Sequence, residues 1–153
     1  MQWSKLKSRV RDLIHPVLRD RIDFHVTSYR ESHDEADKVW FTVDGRRVFT
    51  CKHYTHYRAE LHAYYQCGLR GESLKSALRE EEIFHPKDFG NAMRAYLDMP
   101  VGDALKSADP FIKAFALVDR RVGRRTFMKL QLSDSEHELV RVFYELRRTS
   151  ASI

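Results

Sequence analysis

The sequence predicts an α+β fold: an N-terminal helix, a three-stranded antiparallel meander, then five or six packed helices. Three observations carry that reading. Apolar and polar residues alternate with period two only within residues 22–51, the pattern of half-buried strands. Asp44-Gly45 interrupts the alternation, and such a dipeptide is a strong signal for a two-residue hairpin. Elsewhere apolar residues recur at helical spacing, and strands early with helices late argue for helices packed on a sheet. No internal repeat, low-complexity tract or Gly/Ser/Pro-rich linker divides the chain. Residues 1–153 therefore read as one domain, β-containing over about 1–52 and helical over about 53–148.

The first helix has the stripe Trp3, Leu6, Val10, Leu13 and Val17. It kinks or ends near His15-Pro16, because proline disfavours helical geometry in the residue before it. Ile22, Phe24 and Val26, alternating with Asp23, His25 and Thr27, form the first strand, and the acidic stretch Glu31–Asp37 is a loop. Val39, Phe41 and Val43 alternate with Trp40 and Thr42, and Arg46–Cys51 is the returning strand. A tight type I′ turn sets Val43 opposite Arg46, Phe41 opposite Val48 and Trp40 opposite Phe49. Val39, Phe41 and Val48 then share one face, and Trp40 pairs with Phe49 on the other. A sheet solvated on one side is polar there. Aromatics on both sides mean that helices cover both faces or that one face is a contact site.

His53–Cys67 reads as a helix ended by Gly68, with the stripe Tyr54, Tyr57, Leu61, Tyr64 and Tyr65. After the loop Cys67–Ser73, a short helix turns Leu74, Ala77 and Leu78 inward and ends in Arg79–Glu82. Phe84-His85-Pro86 starts another, with Pro86 first, Asp88 in the first turn and Phe84 set to staple onto Phe89. Its stripe is Phe89, Met93, Tyr96 and Leu97. Met99-Pro100 breaks the pattern, and Asp103–Ser107 has the length of one helical turn. Asp109–Lys129 reads as one helix capped by Asp109, opened by Pro110, striped by Phe111, Phe115, Val118 and Val122, and running into arginines. The chain bends after Gly123, and Phe127, Met128, Leu130 and Leu132 lead into the last helix. Ser133–Glu136 has capping-box spacing, Leu139, Val142, Phe143 and Leu146 form the inward stripe, and Thr149–Ile153 frays.

With 42% hydrophobic and 32% charged residues, the chain is neither disordered in composition nor a membrane protein. The basic N-terminus lacks the apolar core and cleavage site of a secretory signal. Two cysteines without such a signal suit reduced thiols in a cytoplasm better than a disulfide framework. The net charge of +5 is divided as +4 over residues 1–30, −2 over the middle and +3 over residues 119–148. Basic ends permit an anionic partner, although the excess is modest.

Arg120, Arg121, Arg124, Arg125 and Lys129 form the densest basic cluster, extended by Arg141, Arg147 and Arg148 if the last helix lies alongside. Guanidinium forks match phosphate oxygens. The same cluster also fits ordinary helix-end electrostatics, since cations are favoured at helix C-termini. Asp119 stands beside it to orient an arginine. His53, His56 and Glu60 share a helix side at loose metal-ligand spacing, yet lack the form of a recognised zinc motif. His33, Asp34, Glu35 and Asp37 lie in a polar loop without the supported geometry catalysis needs. The chain has no P-loop, dinucleotide fingerprint or serine nucleophile elbow. Trp40 and Phe49, followed closely by Tyr54 and Tyr57, are the aromatics suited to stack bases or bury a partner's apolar residues, unless helices cover them.

Three stretches carry a resemblance: Met1–Arg9, MQWSKLKSR; Ala116–Arg125, ALVDRRVGRR; and Glu136–Arg147, EHELVRVFYELR. Together they resemble a family of small bacterial proteins to which no activity is assigned. The resemblance implies a full-length, single-domain bacterial protein and imports no catalytic residue, ligand or cofactor.

Three readings follow in order. The first is a cytoplasmic, non-enzymatic binding module that acts through a macromolecular contact, with a protein as the favoured partner. The second is nucleic-acid binding through the arginines, and the third a metal-dependent enzyme using His53, His56 and Glu60. The first two readings need no cofactor, no membrane enters any of the three, and the oligomeric state is open.

Overall fold

The hairpin turn falls where the dipeptide puts it. In the computed structural model, which describes residues 2–27, 38–81 and 83–150 and omits the side chains of His53 and Tyr54, Asp44 and Gly45 have φ of 51° and 78°. Two positive φ angles define the I′ geometry that suits the twist of paired strands. Arg21 steadies the turn with a two-pronged bond, Nε and Nη2 each 2.8 Å from the Asp44 carboxylate.

Three strands, β1 (Ile22–Thr27), β2 (Lys38–Val43) and β3 (Arg46–Lys52), form an antiparallel sheet in the order β1-β2-β3. Helices α1 (Trp3–Leu13) and α2 (Pro16–Arg19) precede it. After it come α3 (His53–Tyr65), α4 (Gly71–Glu80), α5 (Pro86–Asp98), α6 (Val101–Ala104), α7 (Pro110–Leu117), α8 (Arg124–Met128) and α9 (Glu138–Thr149). The architecture is α+β in the expected order. The helical part resolves into more pieces than the apolar stripes suggest because α6 and α8 are single turns.

One buried cluster runs from Leu6 to Leu146 and draws on both the sheet and the helices. At its centre Phe24 and Phe41 from the sheet meet Phe89, Phe111 and Phe115 from α5 and α7. Phe24–Phe115 and Phe41–Phe89 ring centroids lie 5.2 and 5.1 Å apart, both edge to face, a favoured arrangement of aromatic quadrupoles.

The strand register departs from the expected one. Phe41 pairs with Phe49 and Thr42 with Arg47, so Val48 is the extra residue of a β-bulge. A bulge shifts every later residue by one position and turns it to the other face. Trp40 is thus opposite Thr50, not Phe49. Phe49 joins the core side, 5.9 Å from Phe41 and 6.1 Å from Phe111. Trp40 stays on the outer face, and the two aromatics do not share a surface.

The expected helix over Asp109–Lys129 is two helices. Its start is as read: Asp109 Oδ1 accepts from the amides of Phe111 at 2.9 Å and Ile112 at 3.3 Å. Helix α7 stops at Leu117 because the next residues bond elsewhere. His15 N donates to Val118 O at 2.8 Å, Arg120 N donates to Leu13 O at 2.8 Å, and Ile14 and Asp119 form a bridge. The α1–α2 junction therefore takes the backbone groups that a longer helix would need.

Smaller departures have similar causes. Val17 is exposed and Leu18 takes the inward place, since Pro16 restarts the helix with a new phase. Phe84 packs on Phe111 at 5.1 Å, although the His85–Asp88 capping box of α5 forms. Helix α9 is capped by His137, whose Nδ1 accepts from Leu139 N at 3.0 Å, while Glu136 pairs with Lys113. The stretch Glu31–Asp37, with His33, lies outside the described residues.

Candidate functional site

Three places collect the residues singled out from the sequence, and they differ in what holds them. On the outer face of the sheet, alternation places His25, Trp40 and Thr50 across three strands. The His25 ring stacks on Trp40 at 4.9 Å with 18° between planes. Arg47 Cζ lies 5.0 Å and Lys38 Nζ 5.4 Å from the Trp40 ring, within cation–π range. Asp23 anchors the β1 side, 2.9 Å from Lys7 Nζ and 3.4 Å from His25 Nε2. Burial acts to raise its carboxyl pKa, but bonds from Lys7 and the Phe24 amide outweigh it and hold Asp23 below its ordinary value. Trp40 is half-buried. His25 was missed as a candidate. Alternation within Ile22–Thr27 set it opposite in face to Phe24, but its pairing with Trp40 is a tertiary outcome.

The arginines do not all lie on the surface. Asp119 is fully buried and grips Arg121, with Nε at 3.0 Å and Nη2 at 2.6 Å. The Tyr96 hydroxyl donates to the same carboxylate. Burial first, then the Asp119 charge, pushes the Tyr96 phenol far above its usual range. Arg147, expected at most to extend the basic surface, is buried. Its Nη1 donates to Leu117 O at 2.8 Å and Asp119 O at 3.1 Å, and its Nη2 to Val122 O. It thus satisfies the carbonyls released where α7 ends. Arg120, Arg121, Arg124 and Arg125 are all exposed, Arg121 while held by Asp119. Helix-end electrostatics suits Arg120, which follows α7, but not Arg124, the first residue of α8.

Helix α3 is turned about its axis relative to expectation. Ala63 is buried, and Ala59 and His56 are half-buried on the same side. The aromatic stripe points out: Tyr57 is 50%, Leu61 38%, Tyr64 41% and Tyr65 72% exposed. Small residues at Ala59 and Ala63 let α3 lie close to its neighbours, which a tyrosine face could not do. His56 lies 3.5 Å from Glu60 and its ring 5.1 Å from that of His85, beside a cleft of about 470 Å³ between α3, α4 and the start of α5. The His53 side chain is outside the described residues. Among those described, no three His, Cys, Asp or Glu side chains gather as a metal-ligand set.

Neither thiol is paired: Cys51 is buried and Cys67 exposed. Cys51 Sγ donates to Phe84 O at 2.7 Å, and burial, then the Asp88 charge, pushes its pKa up to about 12. A thiol so held is protonated at neutral pH and a poor nucleophile. Among the described residues, no helix is long and apolar enough to cross a membrane.

No curated protein and no solved structure matches this chain. One family model does, over residues 2–148, and it carries no assigned function. The matched span takes in α1, the sheet, the outward face of α3 and the Arg147 cap. The chain belongs to the SF0329 protein family.

Proposed function

We propose that the protein is a binding module that acts through contact with a protein, made by the outward face of α3. One observation carries this reading. Of the six exposed large apolar side chains among the described residues, four stand on α3: Tyr57, Leu61, Tyr64 and Tyr65. Scattered apolar side chains are ordinary on a surface, but a contiguous patch rich in tyrosine is the composition of protein interfaces. Arg58 on α3 is also exposed, and Arg70 Cζ stacks 4.0 Å from the Tyr64 ring. Tyrosine with arginine is the mixture from which interface hot spots are built. Unpaired Cys67 beside this patch suits a reducing, cytoplasmic setting.

Photo-crosslinking in cells tests the reading. A benzophenone amino acid in place of Tyr65 should give a discrete crosslinked protein species, and the same group in place of exposed Val17 should not. Equal yields at the two sites would sink it.

A second reading rests on the outer face of the sheet. The stack of His25, Trp40 and Arg47, flanked by Lys38, combines ring faces with positive charge, which is the chemistry that holds single-stranded nucleic acid. Binding of a single-stranded oligonucleotide should weaken steeply with salt and fall in a Trp40→Ala variant. A flat salt response would remove it. The exposed arginines Arg120, Arg124 and Arg125 would then lack a phosphate partner as well.

A further inference from the structure

Helix α5 carries a glycine that its own packing does not require. Gly90 lies in the interior of the helix, where glycine is less favourable than alanine. Its φ is not positive. A Cβ there would meet only Arg94 Nη1 at 3.4 Å, the far end of a flexible side chain. What the missing side chain leaves open is a cleft of about 420 Å³ between the starts of α1 and α5 and the end of β1.

The two sides of that opening differ in chemistry. At about 100° per residue, Pro86 and Phe89 fall to one side of Gly90 around α5, and Lys87, Asn91 and Arg94 to the other. The first side is apolar. Pro86 and Phe89 are buried, and Trp3 packs edge to face on Phe89 at 5.7 Å. The second side is cationic. Lys87 and Arg94 are exposed, and among the described residues neither has a carboxylate partner. The Arg94 guanidinium reaches back over Gly90 and lies 3.5 Å from Asn91 Oδ1. No acidic residue lines this cleft, whereas the clefts beside His56 and beside Asp109 mix carboxylates with their cations.

We propose that this cleft binds a small aromatic acid, with its ring against Trp3 and Phe89 and its carboxylate at Arg94 and Lys87. The site is separate from the outward face of α3 and does not depend on the contact reading. The rings of Trp3 and Phe89 offer a planar ligand edge-to-face or offset packing, and a guanidinium fork matches a carboxylate. Gly90, at the boundary between the two sides, lets one molecule touch both. The volume and the pairing of an apolar wall with a few polar groups are those of small-molecule sites.

The probe is phenylpropionate, titrated into the full chain and followed by the indole N–H resonances. Binding with Kd on the order of 0.1–1 mM is expected for a ligand of that size. The Trp3 resonance should shift, and that of Trp40, on the outer face of the sheet, should stay. Phenylpropanamide keeps the ring without the charge, and hexanoate keeps the charge without the ring. Each should bind about 10-fold more weakly. Arg94→Met should also cost about 10-fold in affinity with thermal unfolding unchanged, because Arg94 is exposed. Gly90→Ala should move the two readouts in opposite directions. The unfolding midpoint should rise by about 2–4 °C, while the added methyl narrows the cleft and weakens binding by about 5-fold or more.

No shift at Trp3 with about 10 mM phenylpropionate, or an equal shift at Trp40, overturns the site. Affinity that ignores both substitutions does so too. An amide that binds as tightly as the acid overturns the choice of ligand, since the two cations would then play no part.

Discussion

Helices α3 and α7 carry apolar stripes of the same period and meet opposite fates. In α7 six of eight residues are buried, among them Phe111 and Phe115. In α3 Ala63 alone among the described side chains is buried, and the large side chains face water. Composition separates them. The stripe of α7 is phenylalanine and aliphatic residues with no polar atom, whereas that of α3 is mostly tyrosine, whose hydroxyl keeps a claim on solvent or a partner. The core has room for one central helix, and the one without polar tips occupies it. The other is left to present its rings.

The largest expected effect breaks the buried side of this comparison. Phe115 touches Phe24, Phe41, Phe89, Tyr96 and Phe143 within 6.3 Å between ring centroids. Phe115→Ala should cost about 3–5 kcal/mol in denaturant unfolding. A loss below about 1 kcal/mol would mean that α7 is not the centre of the core.

Next comes the cap on the end of α7. Arg147→Met keeps the apolar stem but leaves the carbonyls of Leu117, Asp119 and Val122 without their donor. A loss of about 3 kcal/mol is expected. Arg147→Lys should recover little of it, because an ammonium lacks the fork that spans three carbonyls. Full recovery by lysine would assign the effect to charge rather than geometry.

These two regions also mark what could be read in advance. The hairpin, the break at His15-Pro16, the Asp109 cap and the Pro86 start of α5 were legible because local chemistry decides each one. The bulge at Val48 was not, because it is settled by whether Phe49 fits against Phe41 and Phe111. The end of α7 was hidden for a similar reason: its backbone groups are claimed by Leu13 and His15, about a hundred residues earlier. Arg147 looked like any arginine of a helix end. Even so, Leu139, Val140, Phe143, Leu146 and Arg147 fall on one arc, and that phase was a usable sign of burial. The outward turn of α3 had a sign too, in the alanines on its reverse side. What periodicity cannot tell is which of two usable faces finds a neighbour. The residues proposed for contact were legible in type but not in grouping. Trp40 and Phe49 part across the sheet, and buried Asp119 pins the exposed Arg121 in place.

A smaller effect sharpens the comparison at the start of α7. Burial raises the Asp109 carboxyl pKa above 3.8, while the Ile112 and Phe111 amides act to lower it. The folded state therefore holds that proton more tightly than the unfolded chain does. Stability from this shift is present below pH 3.8 and is lost as pH rises through the higher folded-state value. Asp109→Asn keeps an acceptor for the two amides without a charge to bury. It should flatten that slope and be no less stable at pH 7. Asp109→Ala should lose about 1 kcal/mol. Equal losses for both, in urea melts at pH 4 and 7, would assign the cap to the charge.

The smallest effect on folding belongs to α3. Tyr65→Ala removes the most exposed of its rings, and on a solvated face that should move unfolding by less than about 0.5 kcal/mol. Set beside Phe115→Ala, the two substitutions truncate comparable aromatic volume from helices of the same chain. If the tyrosine face serves contact rather than folding, stability and association respond to opposite members of the pair. Phe115→Ala should destabilise the fold and act on association only through that loss, while Tyr65→Ala should weaken capture from a crosslinker placed at Leu61 and leave the unfolding midpoint where it was. A Tyr65→Ala variant that unfolds as easily as Phe115→Ala would place α3 among the supports of the core and end its separate role.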